Sequence, residues 1–194
     1  MFDLEETLIH MSKDTEKADA IIQVKKLGLK QLSQPTTATI GVHLRPFVRD
    51  TLRSLKKKYE LILFSSSSKE ITNRIAEILE KEEEFFSFRL SRESCFMTDN
   101  NLFIKDLRII NRPLERLLLV DDSTYGFGFQ PENGVPIIPF TGAKDDAELI
   151  QLEQYIDYCF GRDADVRKAN KEYFKWGLYP TASSVEDLVH KLFK

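Results

Sequence analysis

Residues 61–79 read Leu-Ile-Leu-Phe-Ser-Ser-Ser-Ser-Lys-Glu-Ile-Thr-Asn-Arg-Ile-Ala-Glu-Ile-Leu. The unbroken apolar run at 61–64 has strand length and no polar alternation, as a strand covered on both faces requires. The serines end it. Ser67 and Glu70 stand at capping-box spacing, and Ile71, Ile75, Ile78 and Leu79 then fall at helical intervals. The stretch is a strand, a turn and a helix. Upstream, Arg45-Pro46 places proline in the first turn of another helix, with Val48, Leu52, Leu55 and Tyr59 as its apolar stripe. Before it, Ala38, Ile40, Val42 and Leu44 alternate with Thr39, Gly41 and His43, a strand with one buried face. Together with the polar, Gly- and Pro-containing stretch ahead of it, this makes residues 20–44 a small β insertion.

Downstream, Phe86, Phe88 and Leu90 alternate, and residues 117–120 and 135–140 are further apolar strand candidates. Leu149, Leu152, Ile156 and Phe160 form a helical stripe. A last helix is expected from the capping box Ser183/Glu186, with Val185, Leu188, Val189 and Leu192. This alternation predicts an α/β three-layer sandwich with a mainly parallel sheet. Sites in such sheets lie beyond the carboxyl ends of the strands.

The chain has 194 residues, 42% of them apolar and 14 of them Phe, enough for one domain with a real core. Lys plus Arg is 28 against 31 for Asp plus Glu, a balance that argues against a dedicated nucleic-acid-binding domain. No apolar run reaches membrane-spanning length. Residues 1–12 carry acids where a signal peptide needs basic residues. Cys95 and Cys159 are expected to be reduced thiols in an intracellular compartment.

Asp3 and Glu5, Ser65, Lys105, and Asp121 with Asp122 all fall at predicted strand ends or just beyond them. Carboxylates gathered at one sheet edge repel one another unless a cation neutralises them, and hard oxygen ligands suit Mg²⁺. A carboxylate can attack phosphorus. A hydroxyl and an ammonium can hold phosphoryl oxygens. By chemistry alone the set suits Mg²⁺-assisted phosphoryl transfer. Among the other residues, Ser67 reads as a helix cap, leaving Ser65 free, and Tyr125-Gly126-Phe127-Gly128-Phe129 lacks the context of a dinucleotide loop. Tyr173, Phe174 and Trp176 read as packing residues.

The motifs also have a relative. Phe2-Asp3-Leu4-Glu5-Glu6-Thr7-Leu8-Ile9-His10, Leu44-Arg45-Pro46, Leu63-Phe64-Ser65, Arg92-Glu93-Ser94-Cys95, Ile104-Lys105-Asp106-Leu107, Leu119-Val120-Asp121-Asp122-Ser123 and Asn133-Gly134-Val135-Pro136 follow in that order. The set resembles the small C-terminal-domain phosphatases, or NLI-interacting-factor-like phosphatases, of the haloacid dehalogenase (HAD) superfamily. The resemblance runs from residue 2 to about residue 174, which makes 1–174 the expected domain and 175–194 a helical extension. It implies a HAD-like fold whose β insertion shapes a peptide groove. It also implies Mg²⁺-dependent removal of phosphate from phosphoserine or phosphothreonine through an aspartyl-phosphate, in the nucleus or cytoplasm.

Position by position, the resemblance makes Asp3 the nucleophile. Glu5 becomes the general acid/base, its main-chain carbonyl a Mg²⁺ ligand. Ser65, Lys105 and Arg92 become phosphate-binding residues. Asp3, Asp121 and Asp122 become metal residues, with Asp122 replacing the more common Asn.

Two departures stand out. Position 5 is Glu where the pattern carries Asp, which displaces the carboxyl group by roughly 1–1.5 Å. The strand before Asp3 is cut to Met1-Phe2, so that either the chain starts inside a longer protein or the sheet is incomplete. Both fit a relative kept for its shape. A receptor subunit of the mitochondrial presequence translocase has a similar domain with degraded motifs, somewhat like Leu4-Glu5-Glu6 and Gln130-Pro131-Glu132-Asn133 here. The expected partner is a phosphoprotein or peptide substrate, or a protein assembly if the reaction is lost.

Overall fold

The computed structural model describes residues 1–25 and 37–176. Its strands are β1 (Ile9–Ser12), β2 (Ala20–Lys25), β3 (Thr37–Leu44), β4 (Ile62–Phe64), β5 (Phe88–Leu90), β6 (Phe96–Met97), β7 (Phe103–Ile104), β8 (Leu119–Asp121) and β9 (Gly134–Pro136). Its α-helices are α1 (Val48–Lys56), α2 (Lys69–Leu79), α3 (Glu148–Arg162) and α4 (Val166–Phe174).

The central sheet is parallel. β4 pairs with β5, and β8 with β9, both in parallel register. Phe2 joins the two halves by bridging to Leu63 on one side and Val120 on the other. The strand before Asp3 is as short as the sequence indicates, yet it is fully laddered. Phe2 N–H donates to Ile62 O, Phe64 N–H to Phe2 O, Asp3 N–H to Val120 O and Val120 N–H to Met1 O, at 2.8–3.0 Å. Backbone groups buried in a sheet interior require such partners.

Alternation along the strands splits the core in two. Phe2, Leu63 and Val120 face α1, α2, α3 and α4 through Leu52, Leu55, Ile75, Leu79, Leu152, Ile156 and Ala169. Met1, Ile62, Phe64 and Leu119 face the other way, onto Leu107, Phe127 and Trp176. Among the described residues this second layer is made of 3₁₀ turns, at Leu107–Ile110, Leu114–Arg116 and Thr124–Phe127. Trp176 packs edge-on against Phe127 at 5.7 Å, the packing role expected of it.

The small sheet is antiparallel in the order β1-β3-β2. It therefore takes in residues 9–12 as well as the expected insertion. The helix expected from Ser183 lies outside the described residues. Two local expectations need correction. α2 starts at Lys69 with Ser68 as its N-cap, without a side-chain capping bond, so the Ser67/Glu70 capping box does not form. Proline does not lie within the first turn of α1, which starts at Val48 behind Phe47, a residue in the left-handed region with φ 64°.

Candidate active site

Phe2 is bridged to Val120 in parallel register, and this brings the residues that follow them, Asp3 and Asp121, to the same rim. Lys105 follows β7, its N–H bonded to Gly126 O at 2.8 Å. Its buried ammonium donates to Asp3 Oδ1 and, at 2.6 Å, to Asp121 Oδ2. Asp122 is half-buried, and its Oδ1 accepts from Thr7 Oγ1 at 3.1 Å. Carboxylate oxygens of Asp3, Asp121 and Asp122 lie within 4.8 Å of one another.

Burial pushes the Asp3 carboxyl well above the usual carboxylate range, against the pull of Lys105, and the charges of Asp121 and Glu5 add to the rise. Burial raises Asp121 as well. For Lys105 burial acts downward, yet the two carboxylates hold the ammonium above its ordinary pKa. With all three carboxyls ionised, one ammonium would leave an excess of two negative charges, which a cation has to offset. A divalent cation with a preference for hard oxygen donors, such as Mg²⁺, fits this donor set.

The cleft above the cluster has a volume of about 200 Å³, and Glu5, Glu6, Ser66, Phe103 and Tyr125 share its lining with the charged residues. Gly126 is a steric requirement. A Cβ there would stand 2.2 Å from Asp121 Oδ2, so any side chain would displace that carboxylate.

The Glu5 carboxylate accepts from Ser65 Oγ at 3.2 Å and from Ser67 Oγ. Ser65 Oγ also accepts the Ser67 N–H at 2.9 Å. Ser65 is thus at the site as expected, but its hydroxyl is turned toward Glu5. Ser67, read from sequence as a cap, is a site neighbour. Arg92 stands apart from the carboxylates. Its Nε donates to Ser66 O at 2.7 Å, and its guanidinium lies 4.9 Å from the centre of the Phe103 ring.

Sequence reasoning gave no role to Thr7, Gly126 or Arg45. Arg45 is 1% exposed and clamps the turn after Asp3. It donates to Thr7 O at 3.0 Å, to Ile138 O at 2.8 Å and to both oxygens of Asp146 at 2.8 Å. The available signal was the Arg-Pro pair, which places an arginine where a helix begins and a buried acceptor set is near.

Residues 1–167 match the model of the NLI interacting factor-like phosphatases. The human carboxy-terminal domain RNA polymerase II polypeptide A small phosphatase 1 is 33% identical over 158 residues, which are 81% of this chain and 57% of that protein. The Drosophila melanogaster phosphatase Herzog is 35% identical over 153 residues, 78% of this chain and 41% of that protein. A Dictyostelium discoideum relative described as CTD small phosphatase-like protein 2 is 29% identical over 175 residues, 90% of this chain but 29% of its own length. The chain thus spans well under two thirds of these relatives. Among solved structures, the fission yeast RNA polymerase II CTD phosphatase Fcp1 bound to beryllium fluoride superposes with a TM-score of 0.57 at 15% identity. The match covers 100% of this chain and 66% of that one. That likeness establishes the HAD-like fold, and with the family match over residues 1–167 it means that this chain belongs to the NLI interacting factor-like phosphatases.

Proposed function

We propose that this domain is a Mg²⁺-dependent phosphatase of phosphoserine or phosphothreonine in proteins, working through an aspartyl-phosphate on Asp3. The observation that carries this reading is the buried Asp3 carboxylate held beside Lys105, with Asp121 and Asp122 oxygens within 4.8 Å. Asp3 Oδ attacks phosphorus, and the bond from phosphorus to the serine or threonine oxygen breaks. Glu5 gives its proton to the departing oxygen. Glu5 then takes a proton from water, whose oxygen attacks the phosphorus of the aspartyl-phosphate and releases inorganic phosphate and the Asp3 carboxylate. Lys105 holds Asp3 in place and offsets charge on the phosphoryl oxygens, and Ser65 donates to one of them. Arg92, at the rim, binds phosphate once it leaves the Phe103 ring. Mg²⁺ held by Asp3, Asp121, Asp122 and the Glu5 main-chain carbonyl would neutralise the carboxylates and polarise the phosphoryl group.

Release of phosphate from p-nitrophenyl phosphate and from a phosphoserine peptide tests this, with and without Mg²⁺. The expected result is Mg²⁺-dependent turnover that Asp3→Asn abolishes. A second reading, a binding or scaffold subunit that has lost the reaction, draws on the Glu5 carboxylate being engaged by Ser65 and Ser67. Absence of Mg²⁺-dependent turnover together with absence of Mg²⁺ binding by calorimetry would decide for it.

A further inference from the structure

Strand pairing fixes where the side chains of β5 point. Phe88 and Leu90 are the parallel partners of Ile62 and Phe64, and paired residues project to the same face of a sheet. Ile62 and Phe64 belong to the second apolar layer, the one that 3₁₀ turns cover among the described residues. That cover stops short of the edge strand. Ile62 is 2% exposed, but its partner Phe88 is 54% exposed and Leu90 is half-buried. Ile109, in the first of those turns, is also open to solvent. The opposite face carries α1 to α4, whereas parallel sheets ordinarily have helices on both faces.

The sequence supplies an apolar stripe to match. Val185, Leu188, Val189 and Leu192 fall at i, i+3, i+4 and i+7, with Glu186, Asp187, His190 and Lys191 between them. A helix of about ten residues does not hold alone in water, so such a stripe needs a surface. The described chain ends at Trp176, which lies in the second apolar layer. Seven residue steps lead from Trp176 to Ser183, a reach of up to about 24 Å. The three strand spacings from β8 to β5 amount to about 14 Å. We propose that residues 183–192 form a helix of this second layer and lay Val185, Leu188, Val189 and Leu192 over Phe88 and Leu90. The occupant is a segment of the same chain because so short a tether holds it at millimolar effective concentration, above that of any second copy. Its seat closes the apolar edge of the central sheet, which would otherwise invite pairing between chains. The contact is independent of the chemistry in the cleft.

The test is a double-mutant cycle on the whole chain, read by thermal melting. Leu188→Ser and Phe88→Ser are each expected to lower Tm by about 3–6 °C, the scale of one partly buried apolar side chain. The double variant should fall little further than either single one, because both changes remove the same contact. Tyr173 packs on Tyr155 of α3, on the helical side, so the losses from Tyr173→Ser and Leu188→Ser should add. Hydrogen exchange gives a direct readout: amides of residues 187–192 should be protected in the unaltered chain and lose that protection in Phe88→Ser. Additive losses from Phe88 and Leu188, coupling of Leu188 to Tyr173 instead, or unprotected amides over 187–192 overturn the proposal. A Tm that rises with protein concentration, together with a dimer in sedimentation that Phe88→Ser abolishes, assigns the face to a second copy and overturns it as well.

Discussion

Glu5 is one methylene longer than the aspartate of the family pattern, and that methylene has somewhere to go. It carries the carboxylate onto the hydroxyls of Ser65 and Ser67. Misplacing a reacting group by about 1 Å can cost on the order of 100-fold in rate. Glu5→Asp is therefore expected to raise kcat on a phosphoserine peptide with little change in KM. An unchanged or lower kcat counts against the assignment of position 5. Gly126→Ala is expected to lower kcat without unfolding the chain, because the new methyl group meets the Asp121 carboxylate rather than the core. Steady-state kinetics alongside circular dichroism checks this. Asp3, Lys105 and Asp121 were legible only as an ordered set: each alone reads as an ordinary strand-end charge, but several acids and a lysine at successive strand ends collect at one sheet edge. Ser67 and Gly126 were not. One serine among four neighbours carries no signal of which hydroxyl turns inward, and a glycine's approach to a residue five positions earlier depends on a turn with no sequence period.

At the scale of elements, the clearest case is the pair Arg45 and Asp146, which ties the start of α1 to the loop before α3. Their side chains are 0% and 10% exposed, so removing one leaves the other's charge buried and unpaired. Asp146→Ala is expected to cost about 3–5 kcal/mol. In a domain of this size that is about 10 °C in Tm by thermal melting. The major strands and α1 to α3 were legible from apolar runs and helical stripes of ordinary length. α4 was not read from sequence, although Asp165 accepts from Arg167 N–H at 3.1 Å as an N-cap. The β6–β7 hairpin escaped because strands of two residues leave no alternation to see.

For the whole molecule, the apolar runs implied a sheet covered on both faces, and it is. What covers the second face was not legible, since 3₁₀ turns of three or four residues have no amphipathic period. Metal affinity is also a property of the whole fold, because the carboxylates come from strands far apart in sequence. Mg²⁺ at 100 times its Kd is expected to stabilise the chain by about 2.7 kcal/mol, a rise in Tm of about 5–10 °C. Differential scanning calorimetry should show that rise, and Asp122→Ala should lose it.

The short segment at Phe2 and Asp3 that bridges β4 and β8 has a consequence for biosynthesis. One of its bonds joins Asp3 N–H to Val120 O, 117 residues later. At roughly 5–20 residues per second a ribosome needs about ten seconds to deliver that partner. Phe2 can pair with Ile62 and Phe64 sooner, but its other edge stays open for that interval, and until it ends the carboxylates of Asp3, Asp121 and Asp122 cannot gather.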